Sequence, residues 1–234
     1  MKKAFVLIWI VILPVLNAGP EARFSEEAWT RIDPIYQEIK KHPFNVKLVD
    51  GTLSEDIFAY YSAQDAIYLT EFGKALVLLG AKLENRRQIK SVFKEALSCF
   101  NDEKEAREKT AKAEVTASPA TLLYTGFLLS TAAFKSREEL AAAVLPCFWI
   151  YSRLTREIKP KVKDKHPYAD WVKLYSSDKY KKSVDGMIEL VDKLASEVPA
   201  QQRSKMLEAF ELASRMEWYF WDGAYKMERW KPVD

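Results

Sequence analysis

Leu140, Val144, Cys147, Tyr151, Leu154 and Ile158 follow one another at steps of three or four residues. That spacing places six side chains on one face of an α-helix. Ser136 and Glu139 stand where a capping box would open this helix. Pro146 lies inside it, one residue before the thiol. Proline removes a backbone donor and frees a carbonyl one turn earlier, so a kink beside Cys147 is expected. The same period runs through the rest of the chain. No segment alternates convincingly with period two, and no repeat of fixed length is visible. Only 7 Gly and 10 Pro occur in 234 residues, few for the many turns of an all-β protein. These patterns predict one all-α domain over residues 19–234, an up-and-down bundle of about eight helices.

The bulk composition excludes several classes of function. Net charge is +3 with the signs interspersed, which argues against a nucleic-acid binder. The two histidines, His42 and His166, each precede a proline, so a histidine-rich metal site is not expected. A haem-handling protein would need an axial histidine, and His42 is poorly placed to be one. Residues 1–18 read as a secretory signal peptide: Lys2-Lys3, an uncharged apolar run to Leu16, then Asn17-Ala18. The leader predicts a secreted or periplasmic protein, or a cytoplasmic one if the true start lies further on. Export would ordinarily suggest a Cys99–Cys147 disulfide. Such a bond and a nucleophilic Cys147 exclude one another.

Further helices follow in order. Ser25 reads as the cap of the first, with Ala28, Ile32, Ile35 and Ile39 inward and Pro34 bending it. His42-Pro43-Phe44 ends it, and Asp50-Gly51-Thr52 is a turn. Ser54 caps the second, whose stripe is Phe58, Tyr61, Asp65, Tyr68, Phe72, Leu76 and Leu79. Asp65 is a carboxylate among aromatics, costly to bury unless paired. A structural aspartate and a pocket-facing one fit this stripe equally. Residues 87–100 form a third helix with Ile89, Val92, Phe93, Ala96, Leu97 and Phe100 inward, and Cys99 beside them as an inert thiol. Residues 101–112 read as a solvated, charge-paired face. Ser118-Pro119 opens a helix with Leu123, Tyr124, Phe127, Leu128 and Thr131 inward. A basic linker from Lys159 leads to a short helix around Tyr168, Trp171 and Leu174. Tyr180, Val184, Met187, Ile188, Val191 and Leu194 mark the next. Pro199 opens the last, with Met206, Phe210, Ala213, Glu217, Phe220, Trp221 and Ala224. Glu217 repeats the anomaly of Asp65.

Three inward stripes thus each carry one reactive group, Asp65, Cys147 and Glu217, with Tyr68, Tyr124, Tyr151 and Tyr175 on or near them. In a bundle they can converge on one cavity. A Cys–His–Asp relay lacks its histidine, and a carboxylate-bridged di-iron site lacks its Glu-x-x-His pairs. A thiolate can instead attack an electron-poor carbon while an acid protonates the substrate. Tyrosines and Phe220 would hold a flat heteroaromatic ring.

His42-Pro43-Phe44, Asp50-Gly51-Thr52-Leu53, Tyr61, Gln64-Asp65, Tyr68-Leu69 and Phe72 together resemble the TenA family. So do Ser118-Pro119 with Tyr124-Thr125, Leu145-Pro146-Cys147-Phe148-Trp149 with Tyr151, and Glu217, Phe220-Trp221 and Ala224-Tyr225. These are the thiaminase II, or aminopyrimidine aminohydrolase, enzymes. The resemblance covers roughly residues 24–230. It implies a haem-oxygenase-like all-α bundle, a homotetramer, and no metal or cofactor. It also implies hydrolysis at the methylene on C5 of a 4-amino-2-methylpyrimidine. Aminomethyl pyrimidine is the implied substrate, and thiamin a slower one. By position, Cys147 would be the nucleophile and Glu217 the acid/base. Asp65 would hold the aminopyrimidine edge and orient the thiol. Tyr68, Tyr124, Tyr151, Tyr175 and Phe220 would line the ring site. The segment between Phe72 and Tyr124 is shorter than is usual in the family, and no site residue is carried over from it. The same pocket could also serve an exported, non-catalytic protein that captures thiamin or its pyrimidine.

Overall fold

A computed structural model describes residues 22–110, 116–163 and 165–231. The leader expected at residues 1–18 and part of the charged stretch after Asn101 lie outside the described residues. The elements are α1 (Phe24–Lys41), α2 (Pro43–Asp50), α3 (Glu55–Lys82), α4 (Arg86–Thr110), α5 (Pro119–Phe134), α6 (Arg137–Ile158), a 3₁₀ turn (Lys159–Lys161), α7 (Ala169–Tyr175), α8 (Asp178–Ser196) and α9 (Ala200–Tyr225). No strand occurs among the described residues, so the all-α expectation holds, with nine α-helices described rather than about eight. The extra one is α2. Its eight residues are too few to display a period, yet Pro43 starts it and Gly51, at φ 71°, ends it. No helix among the described residues is long and apolar enough to cross a membrane.

The core is built around α6. Every residue from Leu140 to Pro146 is buried, because α3, α5, α8 and α9 all pack against this helix. A helix enclosed on so many sides must be apolar nearly all round. The α6 helix continues through Pro146 to Ile158. The Tyr180 hydroxyl donates to the Cys147 carbonyl at 3.3 Å, tying α8 to the turn after the proline.

Local chemistry fixes the helix starts. The side chains of Ser54, Ser118, Ser136 and Ser177 each accept a backbone N–H at the head of α3, α5, α6 and α8. Ser136 and Glu139 complete the expected capping box. Ser25 is different. The structure puts the cap at Arg23, and Ser25 is buried one residue inside α1. Its amide and hydroxyl both donate to Asp192 of α8, at 2.7 and 2.8 Å. Its partner lies far along the chain, so a local reading could not find it.

The start of α5 is held from two sides. Gln64 Oε1 accepts from the Ser118 amide at 2.9 Å and from Thr121 Oγ1 at 2.7 Å, while its Nε2 donates to the Thr116 carbonyl at 3.0 Å. From the C-terminal end, Glu228 Oε2 accepts from the Ala120 amide at 3.2 Å. α3 and α4 approach closely. A Cβ built on Gly73 would stand 2.7 Å from the Phe100 ring, whereas one on Gly126 of α5 meets nothing within 4 Å. Alanine is a better helix former than glycine by about 1 kcal/mol, and overpacking costs about 1–3 kcal/mol. Gly126→Ala is therefore expected to raise the unfolding midpoint and Gly73→Ala to lower it. Urea titration of the two variants measures both signs.

Candidate active site

One cavity of about 120 Å³ opens between the helices. Asp65 and Tyr68 reach it from α3, Tyr124 from α5, Cys147 and Tyr151 from α6, Tyr175 from α7, and Glu217 and Phe220 from α9. All eight residues singled out in the sequence line this one space. Asp65, for which two readings stood equal, is the pocket-facing kind. Cys147 and Asp65 are half-buried as residues because they line the cavity, whereas Glu217 is only 2% exposed.

The aromatic walls pack at ring distances typical of tilted pairs. Tyr68 lies 4.9 Å from Tyr124 and 5.5 Å from Phe220, and Tyr151 lies 5.1 Å from Tyr175. The Tyr61 hydroxyl donates to that of Tyr151 at 3.3 Å. Burial pushes the phenols of Tyr68, Tyr124, Tyr151, Tyr175 and Tyr180 well above the ordinary tyrosine range. These groups stay protonated and act as hydrogen-bond donors, not as bases.

The Tyr124 hydroxyl donates to Glu217 Oε1 at 2.8 Å. Burial pushes the Glu217 carboxyl up to about 8; the Tyr124 hydrogen bond opposes this and the nearby Asp65 charge adds to it. Glu217 is thus mostly a carboxylic acid at neutral pH, able to give a proton. Burial, reinforced by Glu217, also raises the Cys147 thiol well above its usual range, while the nearby Tyr68 hydroxyl pulls it back. At rest the cavity holds a neutral thiol beside a neutral acid. The Tyr68 hydroxyl is buried and makes no well-formed hydrogen bond within the protein. A buried hydroxyl left so is a donor for a ligand.

Sequence reasoning missed two walls. Glu95, Ser98 and Cys99 of α4 line the cavity, as do Ser177, Lys179 and Ser183 at and beyond the head of α8, beside Tyr180, which the helical period had placed inward. On α4 the expected stripe was rotated. Phe93 and Leu97 are 40% and 60% exposed, while Val92, Glu95, Ala96 and Cys99 are buried. Leu123 of α5, also expected inward, is exposed. Cys99 and Cys147 are not joined in a disulfide, so the bond that export would suggest is not formed here. Among the described residues no group of three or more His, Cys, Asp or Glu is arranged to hold a metal ion.

This architecture and chain have clear relatives. An aminopyrimidine aminohydrolase of Halalkalibacterium halodurans is 32% identical over 88% of this chain and 97% of its own length. One from Bacillus subtilis is 30% identical over 89% of this chain and 92% of its own. A TenA homologue from P. horikoshii superposes with a TM-score of 0.78 at 26% identity, covering 88% of this chain and 99% of that one. A Shewanella denitrificans domain with a haem-oxygenase-like fold superposes at 0.67 with 14% identity, over 87% of this chain and 92% of that one, a likeness of fold alone. The sequence profile of the TENA/THI-4/PQQC family matches residues 29–227, and the chain belongs to that family.

Proposed function

We propose that this protein is an aminopyrimidine aminohydrolase, a thiaminase II. It replaces the amine on the C5 methylene of 4-amino-5-aminomethyl-2-methylpyrimidine by hydroxyl, and attacks thiamin more slowly. The observation that carries the reading is the meeting of Cys147, Asp65 and Glu217 in one tyrosine-walled cavity. Relatives at about 30% identity bearing the aminohydrolase name support it.

The flat ring enters among Tyr68, Tyr124, Tyr151, Tyr175 and Phe220. Asp65 holds the aminopyrimidine edge and orients the thiol. Glu217 gives its proton to a ring nitrogen, which makes the ring electrophilic. The Cys147 sulfur bonds to a ring carbon, C6, as its proton passes to Asp65. Electrons from the opened ring bond then form the exocyclic double bond, and the C–N bond breaks with its pair, the C5 ammonium leaving as ammonia. Water adds hydroxyl to that methylene and gives its other proton to the ammonia, and Asp65 returns its proton to sulfur as the C–S bond breaks. Glu217 recovers its proton as the ring becomes aromatic again. The raised thiol fits this order, because the sulfur sheds its proton only with substrate in place.

Incubating the reduced protein with aminomethyl pyrimidine and following hydroxymethyl pyrimidine tests the reading. Stoichiometric ammonia and alcohol are expected. Binding without product would identify a capture protein instead. The homotetramer implied by the family resemblance belongs to the same proposal. Exposed Val77, Leu78, Phe93, Leu97 and Leu122 on α3, α4 and α5 support it, being apolar side chains that an interface would cover. Light scattering is expected to give four times the chain mass, and a monomer would refute assembly.

A further inference from the structure

We propose that Glu95 binds the cationic leaving group of the substrate, the C5 ammonium or, for thiamin, the thiazolium. The proposal rests on the function just given. It starts from a residue that the mechanism does not use. Glu95 is 8% exposed, on the buried face of α4, and lines the same cavity as Cys147 and Glu217. Burying a carboxylate is costly unless its charge is answered. Here Ser183 Oγ donates one neutral hydrogen bond at 3.0 Å. The ion pair with Lys94 stands at 4.0 Å, the outer limit, and that lysine is 73% exposed. Neither matches a tight, desolvated partner.

The position of Glu95 chooses its ligand. The groups suited to the ring come from α3, α5, α6, α7 and α9. α4 packs against α3 and α8, so Glu95 and Ser183 form a separate wall, with Ser98, Ser177 and the exposed Lys179 nearby. A ring held at its amino edge by Asp65 and at a ring nitrogen by Glu217 leaves two substituents, the C2 methyl and the C5 methylene with its amine, and only the second carries a charge for a carboxylate wall to answer. Substrate ammonium and thiazolium are positive; the hydroxyl of the product is neutral. A carboxylate on this wall therefore favours substrate over product and helps the product leave.

The test compares wild type, Glu95→Gln and Glu95→Asp. Glutamine keeps the shape and the acceptor for Ser183, so folding is retained, and removes only the charge. For Glu95→Gln, KM for aminomethyl pyrimidine is expected to rise about 10- to 100-fold, the worth of one hydrogen bond to a charged group. The dissociation constant for hydroxymethyl pyrimidine, measured by calorimetry, is expected to stay within twofold of wild type, as roughly predicted for an untouched contact. Glu95→Asp is expected to restore part of the difference. Equal weakening of both ligands would show a structural role and overturn the proposal, as would no change for either. Wild-type protein that neither consumes aminomethyl pyrimidine nor binds the alcohol would overturn the function itself. A failure confined to Glu95 leaves wild-type turnover intact, so the two failures can be told apart.

Discussion

Cys147→Ser is expected to lower turnover of aminomethyl pyrimidine by at least about a thousandfold, the scale on which nucleophiles matter. Binding of the hydroxymethyl product should persist, because serine nearly matches cysteine in size. The same burial that raises the thiol would raise a serine hydroxyl from its far higher starting point, so no useful nucleophile would form. Stopped assays give the rate and calorimetry gives the affinity. A serine variant that keeps more than a tenth of the activity would remove Cys147 from the mechanism. The thiol should also react slowly with iodoacetamide at neutral pH and faster as pH rises, since the thiolate is the reactive form.

Glu217→Gln is expected to cost about 10²–10⁴-fold in rate, the usual range for a general acid. It should also change the pH profile. Burial raises the Glu217 carboxyl to about 8, so wild-type activity should fall along an alkaline limb as pH rises through that value. The glutamine variant should lose this limb. Stability follows from the same shift. A carboxyl raised above its unfolded value of 4.5 keeps its proton in the folded chain after the unfolded chain has lost it. Stability from this group is therefore full below pH 4.5, falls as pH rises toward 8, and levels off above. Glutamine carries no charge and can still accept from Tyr124. The variant should thus melt higher than wild type at pH 8.5, by an amount that shrinks toward pH 5. Thermal melts at the two pH values check this. A buried acid that weakens the fold while serving the reaction is the expected compromise at an active site.

Much of this site was legible because its residues break a pattern. Asp65 and Glu217 stand out as charges on otherwise apolar faces, and the helix of Cys147 carries an internal proline. Each anomaly lies on a strongly periodic helix, so its direction could be read. The α4 wall failed for the opposite reason. A face that lines a cavity need not be apolar, and here it carries Glu95 and Cys99 while Phe93 and Leu97 lie outward. Counting apolar residues turns such a helix the wrong way. Ser25 failed because its partner, Asp192, is distant in sequence. Neither cause is visible in a local window. The family resemblance assigned roles to Asp65, Cys147 and Glu217, but took nothing from the segment that supplies Glu95.

Gln64 directly precedes Asp65, and its three hydrogen bonds to the head of α5 have a consequence for alignment. One residue of slip turns a helix by about 100°. A slip of α3 would swing Asp65 off the cavity and bring a neighbour in its place. The amide of Gln64 can meet Ser118, Thr121 and Thr116 together in only one phase of α3. It therefore works as an indexing pin, setting which face of α3 lines the cavity. The same pin joins α3 to the helix carrying Tyr124, so the cavity carboxylate Asp65 and the phenol that donates to Glu217 are aligned by one side chain.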